Sequence, residues 1–170
     1  FWDCTPCPAG TYSTAIAATE SSTCSSCIAN AFSLEKSTVC TCSAGHAGVN
    51  GLACTPCGDN FFALAGDATC TACPANTFSH EKSSMLSSCW CLYGFRAESN
   101  GVECTPCDAG TFKSTLGAGI CTPCSNGTYS SAGSRWCSTC PNNTVSFERS
   151  SLLSSCICIA GHTAPSDGVE

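Results

Sequence analysis

The stretch Cys4-Thr5-Pro6-Cys7-Pro8-Ala9-Gly10-Thr11-Tyr12 contains the pattern on which the chain is built: Cys-x-x-Cys, then Gly or Asn three residues later, then an aromatic residue two further on. The pattern returns six more times, after Cys27, Cys57, Cys73, Cys107, Cys124 and Cys140. The third residue after the cysteine is Gly or Asn in all seven copies, and the fifth is aromatic in all but the last, which has Val145. Because Gly and Asn tolerate positive φ, each copy is predicted to contain a tight turn followed by a short extended segment.

The composition indicates that disulfides replace an ordinary hydrophobic core. Cysteine accounts for 20 of the 170 residues, whereas Leu, Ile, Val and Phe together account for only 26. A chain with so few large apolar residues would tend towards disorder without another source of stability. The cysteines therefore predict a disulfide-stapled protein in an oxidising compartment, either extracellular or at the cell surface, with no stable fold once reduced.

The charge and hydropathy patterns exclude several classes of partner. The net charge is −6 with only six Lys and Arg residues, which argues against binding to nucleic acid or to an anionic membrane surface. No apolar run approaches the roughly 18 residues that a membrane span requires, so membrane insertion is not expected. The chain starts at Phe1 without a signal peptide, and we interpret it as a mature segment.

Two kinds of unit alternate along the chain, and together they make three large repeats. The second kind carries Ser-x-Glu-(Lys/Arg)-Ser and ends in Cys-x-Cys; its copies begin at Ser33, Ser79 and Ser146. The repeats are predicted to span residues 1–53, 54–103 and 104–170, with one extra unit at 124–137. The predicted fold class is small disulfide-rich tandem repeats of short β-hairpins and loops with little or no helix, arranged as an elongated rod in which each unit touches its neighbours.

The two ends of the sequence fit the same repeat. Residues 97–103 run Ala-Glu-Ser-Asn-Gly-Val-Glu before Cys104, and residues 164–170 run Ala-Pro-Ser-Asp-Gly-Val-Glu. Joining the end of the chain to its start restores the pattern with three extra residues. The expectation is a repeat that continues head to tail with copies of itself, either within a longer polypeptide or by assembly.

Repeat symmetry restricts the disulfide connectivity without deciding it, because spacing alone never does. The simplest symmetric scheme is a ladder in which each unit closes on itself: Cys7–Cys24, Cys27–Cys40, Cys42–Cys54, Cys57–Cys70, Cys73–Cys89, Cys91–Cys104, Cys107–Cys121, Cys124–Cys137 and Cys140–Cys156. The ladder leaves Cys4 and Cys158 unpaired. These two cysteines would bond between repeats or subunits, Cys4 to a preceding Cys158 and Cys158 to a following Cys4.

Two other schemes remain open at this stage. One interleaves neighbouring units and leaves the same two ends: Cys7–Cys27, Cys24–Cys40 and Cys42–Cys54. The other pairs first with third and second with fourth in blocks of four from Cys4, which consumes all 20 cysteines but gives equivalent positions different partners.

The segments Cys7-Pro-Ala-Gly-Thr-Tyr-Ser13 and Cys73-Pro-Ala-Asn-Thr-Phe-Ser79 resemble the ephrin-receptor-like cysteine-rich repeat, which is related to tumour-necrosis-factor-receptor and EGF-like modules. Cys91 followed by Tyr93-Gly94-Phe95 is similar to the last loop of an EGF-like module, and this similarity implies a Cys91–Cys104 bridge. Similar repeats occur in large extracellular proteins, including mastigoneme-type surface proteins of protists and algae. The resemblance implies a fold and an extracellular setting rather than one function, since such modules serve as receptors, matrix proteins and spacers.

The sequence favours structural over chemical uses of its reactive residues. Four cysteines have spacing close to that of a zinc ribbon, namely Cys54, Cys57, Cys70 and Cys73, but the Cys-x-Cys pairs and acidic charge argue against zinc. Near-identical copies of Cys-x-x-Cys without helices argue against a redox motif. His46 and His162 fill equivalent loop positions, as a structural residue would. We therefore predict no catalytic residue, no metal site, no cofactor and no enzyme activity.

The remaining polar features point to the surface. Asn126 and Asn142 head the sequons Asn-Gly-Thr and Asn-Asn-Thr, and both are predicted to carry N-linked glycans. The Glu-Lys and Glu-Arg pairs, which begin at Glu35, Glu81 and Glu148, are interpreted as solvated charges or as contacts that dock neighbouring units.

The sequence supports two hypotheses for function. The first is a structural extracellular glycoprotein, a repeat rod that continues head to tail into a filament or a long surface protein. The alternative is a receptor-type ectodomain that binds a protein ligand. Features repeated equally in all copies favour the first hypothesis, and an apolar patch confined to one repeat would favour the second.

Overall fold

The computed structural model describes residues 4–16, 20–99, 101 and 103–163. Within these residues there is no α-helix, and the regular structure consists of very short strands and four 3-10 turns, Ser21–Thr23, Val49–Gly51, Leu86–Ser88 and Leu153–Ser155. The strands are β1 Thr11–Tyr12, β2 Ser25–Ser26, β3 Ala31–Phe32, β4 Thr41–Cys42, β5 His46–Ala47, β6 Thr55–Pro56, β7 Phe61–Phe62, β8 Thr71–Ala72, β9 Thr77–Phe78, β10 Trp90–Cys91, β11 Phe95–Ala97, β12 Cys104–Pro106, β13 Thr111–Phe112, β14 Thr122–Pro123, β15 Thr128–Tyr129, β16 Ser138–Thr139, β17 Thr144–Val145 and β18 Ile157–Cys158.

Consecutive strands pair into two-stranded sheets, from β1–β2 through β17–β18. The pairing is antiparallel, as in β1–β2, where Thr11 lies opposite Ser26 and Tyr12 opposite Ser25. The first strand of such a sheet holds the predicted extended segment, and the second holds the residues that lead into the next cysteine. Two-residue strands are too short to be stable alone, so each hairpin depends on the disulfide beside it. The predicted class, small disulfide-rich repeats of β-hairpins, is confirmed.

Nine disulfides join the described cysteines in the ladder arrangement: Cys7–Cys24, Cys27–Cys40, Cys42–Cys54, Cys57–Cys70, Cys73–Cys89, Cys91–Cys104, Cys107–Cys121, Cys124–Cys137 and Cys140–Cys156. We call the segment closed by one of these bonds a module. A position in a module is the number of residues after its first cysteine, so that Gly10 is the third position of the module that starts at Cys7. The four cysteines with zinc-like spacing all lie in these disulfides. Cys4 and Cys158 are free and exposed.

The third residue of each module, which we call the turn position, has positive φ in all nine modules. The residues are Gly10, Asn30, Gly45, Asn60, Asn76, Gly94, Gly110, Gly127 and Asn143, with φ between 62° and 83°. This left-handed conformation costs most L-residues about 1–2 kcal/mol, and Gly and Asn are the residues that adopt it routinely. The predicted turn is therefore present in all seven copies of the pattern and in the two Cys-x-Cys modules as well.

Sulfur atoms occupy much of the buried interior. Cys57, Cys107 and Cys124 are completely or almost completely buried, and Cys57 packs with Ala47, Ala63 and the half-buried Cys70 in one cluster. The large apolar side chains are mostly at the surface instead. The disulfides thus take the place of the hydrophobic core, as the composition predicts.

The chain divides into two compact units: residues 1–74 with 78–89, and residues 75–77 with 90–170. These units do not coincide with the three repeats at 1–53, 54–103 and 104–170, which are defined by sequence pattern and stay a prediction. No helix in the part of the chain that the structure describes is long and apolar enough to cross a membrane.

Candidate functional site

Successive modules are joined by a set of backbone hydrogen bonds that we call the junction. The junction between the modules that start at Cys57 and Cys73 consists of three such bonds: Asn60 N–H to Ser79 O at 2.9 Å, Ala63 N–H to Ser83 O at 3.1 Å, and Lys82 N–H to Cys57 O at 2.8 Å. Backbone groups therefore determine how one module stacks on the next, and the side chains need only leave room for them.

The same first bond recurs at six junctions among the described residues, three in each compact unit. In each, the N–H of a turn position donates to the carbonyl of the sixth position of the following module: Gly10 to Ser33, Gly45 to Ala63, Asn60 to Ser79, Gly94 to Lys113, Gly110 to Ser130, and Gly127 to Ser146, at 2.7–3.0 Å. At these six junctions the Gly or Asn turn is both a bend within its module and the donor that holds the next module.

The sixth position is buried at all six of these junctions. Four of the six residues are serines whose hydroxyl donates to the carbonyl of the fourth position of the preceding module: Ser33 to Thr11, Ser79 to Phe61, Ser130 to Thr111, and Ser146 to Thr128, at 2.7–3.1 Å. A buried hydroxyl is stable only when it is hydrogen-bonded, and the small serine side chain reaches this carbonyl without forcing the modules apart. This role of serine is not among the predictions from the sequence, although Ser at a fixed spacing is a signal that could have indicated it.

The Lys or Arg of each Glu-Lys and Glu-Arg pair occupies the ninth position of its module. Lys36, Lys82 and Arg149 have φ of 67°, 60° and 62°, and the backbone N–H of each donates to the first cysteine's carbonyl in the preceding module at 2.8–3.0 Å. Their side chains are exposed; Lys82 Nζ lies 3.2 Å from a Glu81 carboxylate oxygen at the surface. The charges are solvated while the backbone that carries them docks the neighbouring module.

Replacing Lys82 by Gly is expected to strengthen its junction by about 0.5–1 kcal/mol. Gly removes the cost of the left-handed conformation, about 1–2 kcal/mol, and its greater freedom in the unfolded chain offsets part of that gain. Hydrogen exchange of the Ala63 amide, which crosses the same junction, should slow by about twofold to fivefold. Glu81→Gly is the matched control, because Glu81 lies in the same turn without positive φ. Equal slowing in both variants would rule out the conformational explanation.

Lys113 occupies the sixth position at one of the six junctions, and the other five junctions have Ser or Ala there. It is only 2% exposed, and its Nζ donates to Thr115 O at 2.7 Å and to Leu92 O at 3.4 Å. Burial lowers the pKa of the Lys113 ammonium below its ordinary value of 10.5. Two carbonyls therefore hold a cation in a place that favours a neutral group.

This burial predicts a pH dependence of stability in the alkaline range. Between the lowered pKa of the folded state and 10.5, the unfolded chain binds more protons at Lys113 than the folded chain, so the free energy of unfolding should rise with pH across that window. Denaturant unfolding from about pH 8 to about pH 11, with Cys4 and Cys158 alkylated to prevent thiol exchange, measures the effect. The parent should gain stability relative to Lys113→Met; a constant difference between the two curves would contradict the prediction.

The segment that follows Cys156 is equivalent in the repeat to the segments that start at Cys42 and Cys91, but it is exposed where they are buried. Cys42 and Cys91 are 1% and 4% exposed, whereas Cys158 is exposed. Gly161 has the same left-handed conformation as Gly45 and Gly94, with φ of 84°. Gly45 and Gly94 are buried and donate to the next module, whereas Gly161 is exposed and no described residue accepts its N–H.

The loop around Gly161 is preformed rather than collapsed. His162 N–H donates to Ile159 O at 3.1 Å, as His46 N–H does to Ser43 O at 3.0 Å. The ring nitrogen Nδ1 of each histidine lies 3.4 Å from the carbonyl two residues earlier. The two histidines therefore make the same contacts within their loops, although His46 is half-buried and lies opposite Pro56 whereas His162 is exposed.

Cys4 and the two sequons lie at exposed positions. Cys4 corresponds in the repeat to Cys54 and Cys104, which bond to Cys42 and Cys91. Asn126 and Asn142 are exposed and each directly precedes a turn position. The threonine of each sequon donates its hydroxyl to the carbonyl three residues earlier at 2.7 Å, which fixes the turn. Occupancy by glycans stays a prediction, as does the bonding of Cys4 and Cys158.

Hairpin modules that each close on their own disulfide and stack through backbone bonds define a small disulfide-rich repeat protein. Residues 94–130 match the family described as tyrosine-protein kinase ephrin type A/B receptor-like, which confirms the predicted resemblance for this stretch. The match begins at the turn position Gly94 and ends at the buried Ser130, so it contains the first hydrogen bond of two junctions, Gly94 to Lys113 and Gly110 to Ser130. A search of the curated proteins found no match. That family consists of receptor-type, non-enzymatic modules, and the match indicates an extracellular or surface location.

Proposed function

We propose that this chain is a structural, non-catalytic extracellular glycoprotein whose modules continue head to tail through a disulfide between Cys158 and the Cys4 of a following copy or repeat. Glycans at Asn126 and Asn142 would cover exposed turns, and the repeats would form an elongated scaffold. Copies of the chain itself are the proposed partners.

The exposed surface around Cys158 carries this proposal. The corresponding surface is buried twice in the same chain, where Cys42 and Cys91 bond to Cys54 and Cys104. In both cases the turn glycine donates to the sixth position of the module that follows that bridge. By the same register, Gly161 N–H would donate to the carbonyl of Ser13, the sixth residue after Cys7. A following segment that begins at Cys4 could therefore form with the loop around Gly161 the same disulfide and the same backbone hydrogen bond as the two buried copies.

The test is the mass of the denatured, deglycosylated chain with and without reductant, followed by disulfide mapping. Species of high mass that collapse to the 17.3 kDa chain on reduction, with Cys4 linked to Cys158, are the expected result for separate copies. High mass in both conditions would place the same continuation within a longer polypeptide. The chain carrying Cys158→Ser should stay monomeric, and so should Cys4→Ser. A 17.3 kDa species in both conditions, with both thiols free, would overturn the proposal.

A further inference from the structure

The extra module, 124–137, carries large side chains at positions where the other modules do not. Its second cysteine is preceded by Arg135-Trp136. The corresponding pairs contain neither an aromatic residue nor a cation: Ser22-Thr23, Thr38-Val39, Leu52-Ala53, Ala68-Thr69, Ser87-Ser88, Val102-Glu103, Gly119-Ile120 and Ser154-Ser155. Tyr93, two residues after Cys91, is likewise unique, since Ala44 and Ala160 fill the equivalent positions. The scaffold is repeated, but these three side chains are not.

The structure brings the three unrepeated side chains together. The guanidinium carbon of Arg135 lies 3.6 Å from the centroid of the Tyr93 ring and 5.2 Å from that of the Trp136 ring. Both distances are within the range in which a cation is attracted to an aromatic face. We call Tyr93, Arg135 and Trp136 the aromatic–arginine cluster.

The backbone beneath the cluster holds it in place. Gly94 approaches Gly133 so closely that a Cβ at Gly94 would lie 2.0 Å from the Gly133 carbonyl oxygen. Gly133 N–H in turn donates to Cys107 O at 2.8 Å, which ties this turn to the preceding module. The loop that carries Tyr93 and the turn that carries Arg135 are therefore locked together before any partner arrives. Such preorganisation reduces the entropy lost on binding.

The cluster is accessible and its charge is unneutralised. Trp136 is 64% exposed, Arg135 is exposed and Tyr93 is half-buried. Residues 124–137 contain no Asp or Glu, so Arg135 is the single charge in that module. The ion pairs of the described residues involve other basic side chains, and none includes Arg135. In a chain of net charge −6, this is a local positive site beside an apolar one.

We propose that the aromatic–arginine cluster binds a protein segment that presents one carboxylate side chain next to an apolar side chain. The carboxylate would accept hydrogen bonds from the guanidinium edge that stacking on Tyr93 leaves free, and the apolar side chain would cover the Trp136 indole. Trp, Tyr and Arg are the residues that dominate binding energy at protein interfaces. Polyanions such as nucleic acids or acidic polysaccharides fit less well, because one cation on an acidic chain cannot hold many charges.

The experiment pans a random peptide phage library on the disulfide-intact chain, with a counter-selection on the double variant Arg135→Ser, Trp136→Ser. Peptides that survive the counter-selection should share Asp or Glu beside Leu, Ile, Phe or Trp. A synthetic peptide of the enriched sequence should then bind the parent chain and shift the indole N–H resonance of Trp136. Its affinity should fall by about tenfold or more with Arg135→Gln, with Trp136→Ala, or when its own carboxylate becomes an amide.

Controls separate the cluster from general charge and from misfolding. Arg149→Gln removes an exposed arginine from another module and should leave peptide affinity unchanged. Arg135→Lys keeps the charge without the planar fork and should bind more weakly than the parent. Intact mass after thiol alkylation confirms that each variant keeps its nine disulfides. Enrichment of peptides that bind Arg135→Gln as well as the parent, or binding of a sulfated polysaccharide that depends on Arg135, would overturn the proposal.

Discussion

Gly94→Ala should destabilise the junction between the modules that start at Cys91 and Cys107 by about 3 kcal/mol or more. Gly94 has φ of 76°, and an added methyl group would lie 2.0 Å from the Gly133 carbonyl oxygen, which is backbone and cannot move aside alone. The hydrogen bond from Gly94 N–H to Lys113 O would be lost with the close approach. Native-state hydrogen exchange of the Gly117 amide, which donates to Cys91 O across this junction, measures the loss.

Gly127→Ala is the matched control for this prediction. Gly127 is also a turn position, with φ of 77°, but no heavy atom outside its chain neighbours lies within 4 Å of an added Cβ. Its substitution should therefore cost only the free energy of holding Ala in the left-handed conformation, about 1–2 kcal/mol. If the two substitutions cost the same, backbone conformation alone would explain them, and the close packing of modules would contribute nothing to stability.

Replacing Cys57 and Cys70 together by Ala should unfold the module that they close while leaving the rest of the chain oxidised. The bond closes a 13-residue separation, for which the chain-entropy model gives about 3 kcal/mol. Removal of the buried Cys57 sulfur from its contacts with Ala47 and Ala63 adds a packing loss. Loss of exchange protection at the Asn60 and Ala63 amides, together with proteolysis inside residues 57–70, would report the unfolding.

Replacing Cys7 and Cys24 together by Ala gives a comparison in which the chain-entropy contribution of the lost bond is nearly the same as for Cys57–Cys70. That bond closes a separation of 17 residues, but Cys7 and Cys24 are only half-buried. We expect a smaller effect from this variant, since less packing is lost. A larger effect at Cys7–Cys24 than at Cys57–Cys70 would mean that loop length, rather than burial of the sulfurs, determines how much each bond stabilises.

The sequence predicts the local structure of this chain well because the strongest constraints are local. Gly and Asn adopt positive φ at the lowest cost, so residues such as Asn30 and Gly110 identify the turn directly. Equivalent cysteines favour equivalent partners, and the symmetric ladder is the arrangement in the structure. The junctions could not be predicted in the same way, because their donors and acceptors are backbone groups that every residue carries. Only the three-dimensional structure shows that Asn60 N–H donates to Ser79 O.

Three further features are not evident from residue type alone. Serine is usually exposed, so nothing in residue type alone predicts that Ser79 and Ser146 are buried and bonded to the preceding module. Lys113 in an equivalent buried place is even less expected, since a charged side chain is normally assigned to the surface. The aromatic–arginine cluster depends on Tyr93 and Arg135, which lie far apart in sequence and come together only because the modules stack.

The ladder of self-closed bridges has a mechanical consequence. A pulling force can straighten only the segments between bridges, because each disulfide carries the load across its own loop at a Cα–Cα distance of 5.4–5.8 Å. One or two residues separate each bridge from the next. Between Cys7 and Cys156 the oxidised chain could therefore reach about 125 Å when taut, against about 500 Å for the same residues without bridges. Such a strand would behave as a nearly inextensible cord even after every hairpin had come apart, and its length would become sensitive to the redox state of its surroundings.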